Sequence, residues 1–230
     1  MVDKGSLYIV ATPIGNLQDI TLRAIETLTN VDIVVCEDTR VTGKLLNHLG
    51  IKKKMIAVND FNEEQKTYEI LNLLEDNSVA LVSDAGTPLI SDPGFRIVRE
   101  AKKRGYKLIP IPGPSALIAA LSVSGLPTDK FSFLGFLPQS PIKVQRLFDS
   151  VKNLEQTVIL YESPHRINHT VEAIHKHFGD IEITIARELT KVFEEIETKK
   201  VSEFLDIYKT KAPKGEFVIL FSTKPIKLTL

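Results

Sequence analysis

Apolar residues recur in short runs along the first half of the chain, at 7–11, 31–36, 55–58, 79–82 and 107–111. The runs are rich in Val, Ile and Leu with little polar alternation, the pattern of strands covered on both faces. Between them the apolar positions open to helical spacing. Leu22, Ile25 and Leu28 form one stripe, segments 44–49 and 63–74 follow, and Ile97, Val98 and Ala101 form another that ends at Gly105. Strands alternating with helices predict an α/β fold with a parallel sheet.

The second half reads differently. Apolar runs at 131–134, 157–161, 182–186, 192–196 and 216–221 predict strands, and the interval 188–197 reads as a direct strand-to-strand connection, so this sheet should be mixed. Residues 137–146 read as a loop rich in Pro and Gln that carries Lys143 and Arg146, a candidate flap. Pro112-Gly113-Pro114 makes a natural joint, which divides the chain into an expected N-terminal α/β domain, 1–112, and a C-terminal mixed α/β domain, 113–230.

Chemistry concentrates where the first-half strands end. The stretch 79–94, VALVSDAGTPLISDPG, carries an apolar strand into a long loop with two glycines and two prolines. Asp92 is placed to cap the following helix, with Pro93 in its first turn. Asp84-Ala85-Gly86-Thr87-Pro88 lies too far upstream to cap it. In an open α/β sheet ligands bind at the carboxyl ends of the strands, so the loops 12–16, 37–40 and 83–88 should share one rim. Ser115 is placed to cap a helix over 116–121 whose small residues suit either a close ligand or simple burial.

Composition narrows the reading by exclusion. At 230 residues, 43% hydrophobic and 25% charged, the chain is ordinary for a globular protein. Lys+Arg and Asp+Glu both number 29, so bulk charge does not argue for nucleic-acid binding, and any phosphate contacts depend on where the cations sit. Cys36 is the only cysteine, which excludes an internal disulfide and fits a reducing cytosol. The opening residues read as neither a signal peptide nor a membrane span, and the expected location is cytoplasmic. There is no Gly-x-Gly-x-x-Gly after the first strand, no P-loop and no Gly-x-Ser-x-Gly. Five scattered histidines without cysteine partners predict no metal site.

A series of motifs then runs in order along nearly the whole chain: Thr12-Pro13-Ile14-Gly15-Asn16-Leu17, Glu37-Asp38-Thr39-Arg40, Ser83-Asp84-Ala85-Gly86-Thr87-Pro88, Asp92-Pro93-Gly94, Pro112-Gly113-Pro114-Ser115, Gly135-Phe136-Leu137-Pro138, Tyr161-Glu162-Ser163-Pro164-His165-Arg166, Ala186-Arg187-Glu188-Leu189-Thr190-Lys191 and Lys214-Gly215-Glu216. On these residues the chain resembles the ribosomal RNA small subunit methyltransferase I family of the tetrapyrrole methylase superfamily. The resemblance implies a class III S-adenosyl-L-methionine methyltransferase fold, with the cofactor in a cleft between two α/β domains. It also implies 2′-O-methylation of a cytidine ribose in the decoding region of 16S ribosomal RNA, a substrate met within the small ribosomal subunit, and a homodimer.

Carried over position by position, the resemblance implies cofactor contacts from Pro13 and Ile14, from Asp84, Ala85, Gly86 and Thr87, and from Ser115 and Ala116. Phe136, Leu137, Tyr161, Ala186 and the turn Lys214, Gly215 and Glu216 would close over the adenine side. A carboxylate at Asp84 suits ribose hydroxyls, an amino group or a sulfonium charge. Glu162, Glu188 and Lys191 are the candidates for a base, although Lys191 would have to be neutral to act as one. Arg40, Arg166, Arg187 and Lys191 are candidates for RNA phosphate, by the fork geometry of guanidinium or by charge. For the arginines an ion pair to Glu37, Glu162 or Glu188 is the alternative. Lys52 to Lys54 and Lys209 to Lys214 are candidate basic patches. Two other functions fit the same motifs: a methyltransferase of this superfamily acting on a tetrapyrrole or a protein side chain, and a non-catalytic RNA-binding module.

Overall fold

A computed structural model describes residues 2–59, 61–210 and 213–224. The chain forms two compact units, residues 1–115 and 116–230, each with its own sheet. The first contains β1 (Ser6–Val10), α1 (Leu22–Asn30), β2 (Ile33–Cys36), α2 (Thr39–His48), β3 (Lys54–Ala57), α3 (Glu63–Leu74), β4 (Val79–Val82), α4 (Phe95–Lys103) and β5 (Lys107–Ile111). Its strands lie in the order β3-β2-β4-β1-β5, and every pairing is parallel.

The unbroken apolar runs cover both sheet faces because alternate side chains meet different helices. Leu7, Ile33, Val35, Val79 and Leu81 pack with α3 and α4 through Ile70, Leu71, Leu74, Ile97 and Ala101. Tyr8, Val10, Val34, Cys36, Ala80 and Val82 face the other way, onto Ala24 and Leu28 of α1 and Leu46 of α2. Pro110 sits in β5, an edge strand, where a missing N–H is tolerated.

Two helix starts differ from the sequence expectation. The second helix starts at Thr39 rather than near Lys44, because Asp38 is its N-cap and accepts from Arg40 N at 2.8 Å. Asp92 does not cap α4. The N-cap position is Gly94, and the carboxylate at this helix end comes from Glu63, whose Oε1 accepts from Gly94 N at 3.0 Å and Arg96 N at 2.9 Å.

The second unit contains α5 (Ala116–Val123), β6 (Phe131–Phe136), α6 (Pro141–Val151), β7 (Thr157–Glu162), α7 (Ile167–Phe178), β8 (Glu182–Arg187), β9 (Glu195–Lys200), α8 (Val201–Thr210) and β10 (Phe217–Ser222). The order is β6-β7-β10-β8-β9, with β6 and β7 parallel and the other pairings antiparallel, so the sheet is mixed as expected. One face packs Val158, Leu160, Ile183, Ile185, Phe217, Ile219 and Phe221 against α6, α7 and α8, and α5 contacts β7 and β10.

The expected loop 137–146 is a helix from Pro141 onward. Pro141 stands in its first turn, and Val144, Phe148 and Val151 form the buried stripe that the Pro- and Gln-rich start conceals. The strand expected over 192–196 begins instead at Glu195 and runs to Lys200. Phe217 pairs with both Glu162 and Arg187, so the ends of β7 and β8 share one rim of this sheet with the start of β10, and parallel β6 ends there too. Among the described residues no helix is long and apolar enough to cross a membrane.

Candidate functional site

In the first unit the chain leaves β1 toward β2 on one side and leaves β4 toward β5 on the other, although β1 and β4 are neighbours. That divergence is a switch point, and the crevice beyond the carboxyl ends of such strands is where α/β sheets bind ligands. Both loops above it are built by backbone pairing. Thr12 N donates to Gly86 O at 2.9 Å and Gly86 N donates to Thr12 O at 3.0 Å, an isolated antiparallel bridge.

Hydroxyls lock this bridge. Thr12 Oγ1 donates to Ser83 O, Ser83 Oγ to Gly86 O, and Thr87 Oγ1 to Pro114 O, at 3.0, 3.0 and 3.1 Å. Gly86 has φ +85, and a Cβ there would lie 3.2 Å from Ile14 Cγ2. The position therefore calls for glycine on conformation and space together. Pro13, Ile14, Asp84, Ala85, Gly86 and Thr87 are thus brought together, with Ser115 directly after Pro114 and Ala116 opening α5.

Asp84 Oδ1 accepts from Asp38 N at 3.1 Å, which ties the loop after β2 to the same rim. Burial pushes the Asp84 carboxyl above its ordinary range, the Asp38 N–H opposes this, and the Asp38 charge adds to it. Asp92 is pushed up to about 6 by burial and by the charge of Glu37. Asp38, by contrast, is held down to about 2 by Arg40. Arg40 wraps its own helix cap, with Nε 3.0 Å and Nη2 2.5 Å from Asp38 Oδ2.

Sequence reading missed Thr12, Ser83 and Glu63 as the groups that fix this rim. Thr12 and Ser83 stood inside quoted motifs, so a signal existed. Glu63 gave none, because its partners lie 31 and 33 residues away.

In the second unit Tyr161 Oη accepts from Leu117 N at 3.1 Å and so satisfies an open N–H in the first turn of α5. Its ring meets Phe133 and Phe136 edge-on, with centroids 4.7 and 6.0 Å away. Leu137 and Ala186 are buried, so beside the half-exposed Phe136 their side chains serve packing. Glu162 is enclosed, with its side chain 0% exposed. Its oxygens accept from Ser163 N at 2.8 Å and Thr170 Oγ1 at 2.6 Å, which places it under the start of α7. Arg166 donates from Nη2 to Leu137 O and lies 3.8 Å from Glu162 through Nε.

Lys191 bridges two carboxylates, Glu188 Oε1 at 2.9 Å and Glu216 Oε2 at 2.8 Å. Burial alone would lower its pKa, but these two hydrogen bonds outweigh burial and raise it, so Lys191 stays an ammonium. Burial likewise pulls Glu188 upward, and the Lys191 ammonium with the Glu216 N–H holds it below its ordinary range. Gly215 lies under this pair at φ +100, where a Cβ would come within 2.5 Å of Glu188 Cγ. Arg187 pairs with Glu195 at 2.8 Å and donates weakly to Lys214 O at 3.4 Å. Every residue proposed for phosphate on motif grounds therefore has an internal partner. Of the candidate patch Lys209 to Lys214, Lys211 and Ala212 lie outside the described residues.

The profile of the Tetrapyrrole (Corrin/Porphyrin) Methylases matches residues 6–205. The chain is 45% identical over 223 residues to Ribosomal RNA small subunit methyltransferase I of Rickettsia prowazekii, covering 96% of this chain and 80% of the relative. It is 49% identical over 219 residues to the protein of that name in Vibrio cholerae, covering 93% and 76%. With the Thermotoga maritima protein of that name it shares 46% over 221 residues, covering 96% and 99%. Among solved structures, diphthine synthase superposes with a TM-score of 0.73 at 17% identity, covering 94% of this chain and 89% of the other. Uroporphyrin-III-C-methyltransferase of Thermus thermophilus superposes with a TM-score of 0.65 at 18% identity, covering 95% of each.

Proposed function

The chain belongs to the ribosomal RNA small subunit methyltransferase I family of tetrapyrrole methylases, and on that premise we propose that it transfers a methyl group from S-adenosyl-L-methionine to the 2′-hydroxyl of a cytidine in the decoding region of 16S ribosomal RNA. The observation that carries the cofactor part is the switch-point rim, where Thr12 and Gly86 are bridged and Asp84 stands beside them. Asp84 Oδ2 has no hydrogen-bond partner among the described residues and is available for a ligand. A rim of backbone groups, Ile14 and one carboxylate suits a cationic donor without a polyphosphate.

We assign the methionine and ribose portions to Pro13, Ile14, Asp84, Ala85, Gly86 and Thr87, with Ser115 and Ala116 following. Phe136, Tyr161 and the turn 214–216 are assigned to adenine, with Leu137 and Ala186 shaping the packing beneath. The bound donor supplies an electrophilic methyl on a good leaving group. The chain's own contribution is positioning, which in oriented reactions is worth roughly 7–11 kcal/mol. Lys191 is charged, Glu188 is committed to it, and Glu162 is sealed, so none of the three serves as a general base. Their role is to hold the loops that carry substrate, and the hydroxyl proton passes to solvent. A cytoplasmic location follows from a ribosomal substrate. Relatives named for ribosomal RNA stand at 44–49% identity, whereas the tetrapyrrole and diphthine enzymes stand at 17–18%, which favours RNA over the other acceptors.

Isothermal titration of the Asp84→Ala variant tests the cofactor assignment. It should lose at least tenfold in S-adenosylmethionine affinity while melting normally, and wild-type affinity would refute it. Primer-extension mapping of ribose methylation on unmodified small subunits tests the acceptor. A methyl found only on a base, or none, would refute that half.

A further inference from the structure

The connection from β8 to β9 is rigidly built and yet presents apolar side chains to water. Glu188 and Thr190 both have left-handed φ, +51 and +65, which non-glycine residues adopt only when their surroundings enforce it. The enforcing contacts are on hand. Lys191 N donates to Glu188 O at 3.0 Å, Thr190 N to Glu194 Oε2 at 2.6 Å, and Glu194 N to Lys191 O at 3.1 Å. Lys191 Nζ clamps the base of the loop between Glu188 and Glu216. Held this way, Val192 is 94% exposed and Phe193 72%. The loop joins the end of β8 to the start of antiparallel β9, so it stands on the rim where β6 and β7 also end.

Charge on that rim is distributed unevenly. Arg166, Arg187 and Lys191 are turned inward to Leu137 O, Glu195 and the Glu188–Glu216 pair. Lys143 and Arg146, in the first two turns of α6 after β6, are exposed and make no ion pair among the described residues. They are three residues apart on a helix and so share a face. Asp149, one turn further, pairs with neither.

We propose that this rim of the second unit is a platform for single-stranded RNA, on which Phe193 stacks against an unpaired base and Lys143 and Arg146 hold backbone phosphates. An exposed aromatic and unpaired cations on one rim are the chemistry that grips an unstacked strand, and the phosphates supply position while the stacked base supplies fit. The inference rests on the ribosomal-RNA reading and states where on the chain that RNA lies. It also accounts for Lys191 as a positioning residue that shapes the loop rather than as a phosphate ligand.

The test uses the full chain, radiolabelled S-adenosylmethionine and small subunits lacking the modification. K143Q/R146Q should raise KM for the subunit at least tenfold and flatten the log–log salt dependence of binding by about 1–2. F193A should lower kcat/KM about tenfold, the equivalent of ~1.4 kcal/mol. Cofactor affinity by titration should be unchanged in both. Unchanged KM and salt slope in the double variant would overturn the proposal. So would an F193A protein with normal RNA kinetics and an altered sedimentation coefficient, which would make the loop a contact between copies. A wild-type protein that binds cofactor but methylates no RNA would remove the functional reading, and this inference with it.

Discussion

At Gly215 the backbone and one carboxylate compete for the same space. Glu188 must lie across the turn to reach Lys191 and Glu216 N, and a Cβ at Gly215 would sit 2.7 Å from Glu188 Cδ. Gly215→Ala combines a left-handed φ with overpacking and should cost ~3 kcal/mol in urea unfolding. In an Glu188→Ala background the cost should fall to the conformational part, about 1 kcal/mol. Equal costs in the two backgrounds would show that the carboxylate does not lie over the turn. Asp92 gives a prediction of opposite sign. Its folded-state pKa, about 6, lies above the ordinary aspartate value of 3.8, so the native state holds this proton more tightly than the unfolded chain does. The resulting stability is fully present below pH 4 and is lost as pH rises through 6. Asp92→Asn should therefore melt about 2–4 °C above wild type at pH 7.5, with the gap closing toward pH 4. A gap that widened on acidification would reverse the assigned environment.

Among the elements, α4 shows most clearly what the sequence could and could not reveal. Its apolar stripe was legible, as was the strand before it, because both follow local periodicity. Its cap was not, since Asp92-Pro93 has the expected spelling while the acceptor is Glu63 of α3. Glu63→Ala should cost about 1–2 kcal/mol, and Asp92→Ala should not mimic it by unfastening the helix end. Hydrogen exchange at Gly94 and Arg96 reads this directly, and unchanged protection in Glu63→Ala would count against the cross-helix cap. The same division runs through the candidate site. Asp84 and Gly86 stood out because a carboxylate and a glycine ended an apolar strand. The strand expected over 192–196 failed because Val192 and Phe193 have strand-like side chains but face water. Residues 137–146 looked like a loop because their prolines and glutamines come before Val144 and Phe148. For the cap and for 192–196 the deciding contact is distant in sequence or is made with solvent, and local pattern carries neither. For 137–146 the signal is local, but the Pro- and Gln-rich start conceals the stripe of Val144, Phe148 and Val151.

For the molecule as a whole, each half has its own sheet and its own buried core. Among the described residues, all five strands of the parallel sheet lie within residues 1–115, all five of the mixed sheet lie within 116–230, and neither sheet borrows a strand from the other half. Each half also encloses large, fully buried side chains of its own, such as Leu7, Leu28 and Ile70 in the first and Phe148, Ile159 and Phe221 in the second. A domain of this size buries roughly two thirds of the surface its unfolded chain exposes, enough for independent stability. Residues 1–115 expressed alone should therefore unfold cooperatively, with a calorimetric enthalpy of roughly 80 kcal/mol near 60 °C. The isolated fragment should keep the near-ultraviolet signature of a packed interior around Tyr8 and Tyr106. A fragment that collapses without a cooperative transition would mean that the second half supplies part of the first half's stability. In that case a variant in one half, Gly215→Ala included, would weaken both, and the single-site costs argued above would be read against a merged transition instead of their own.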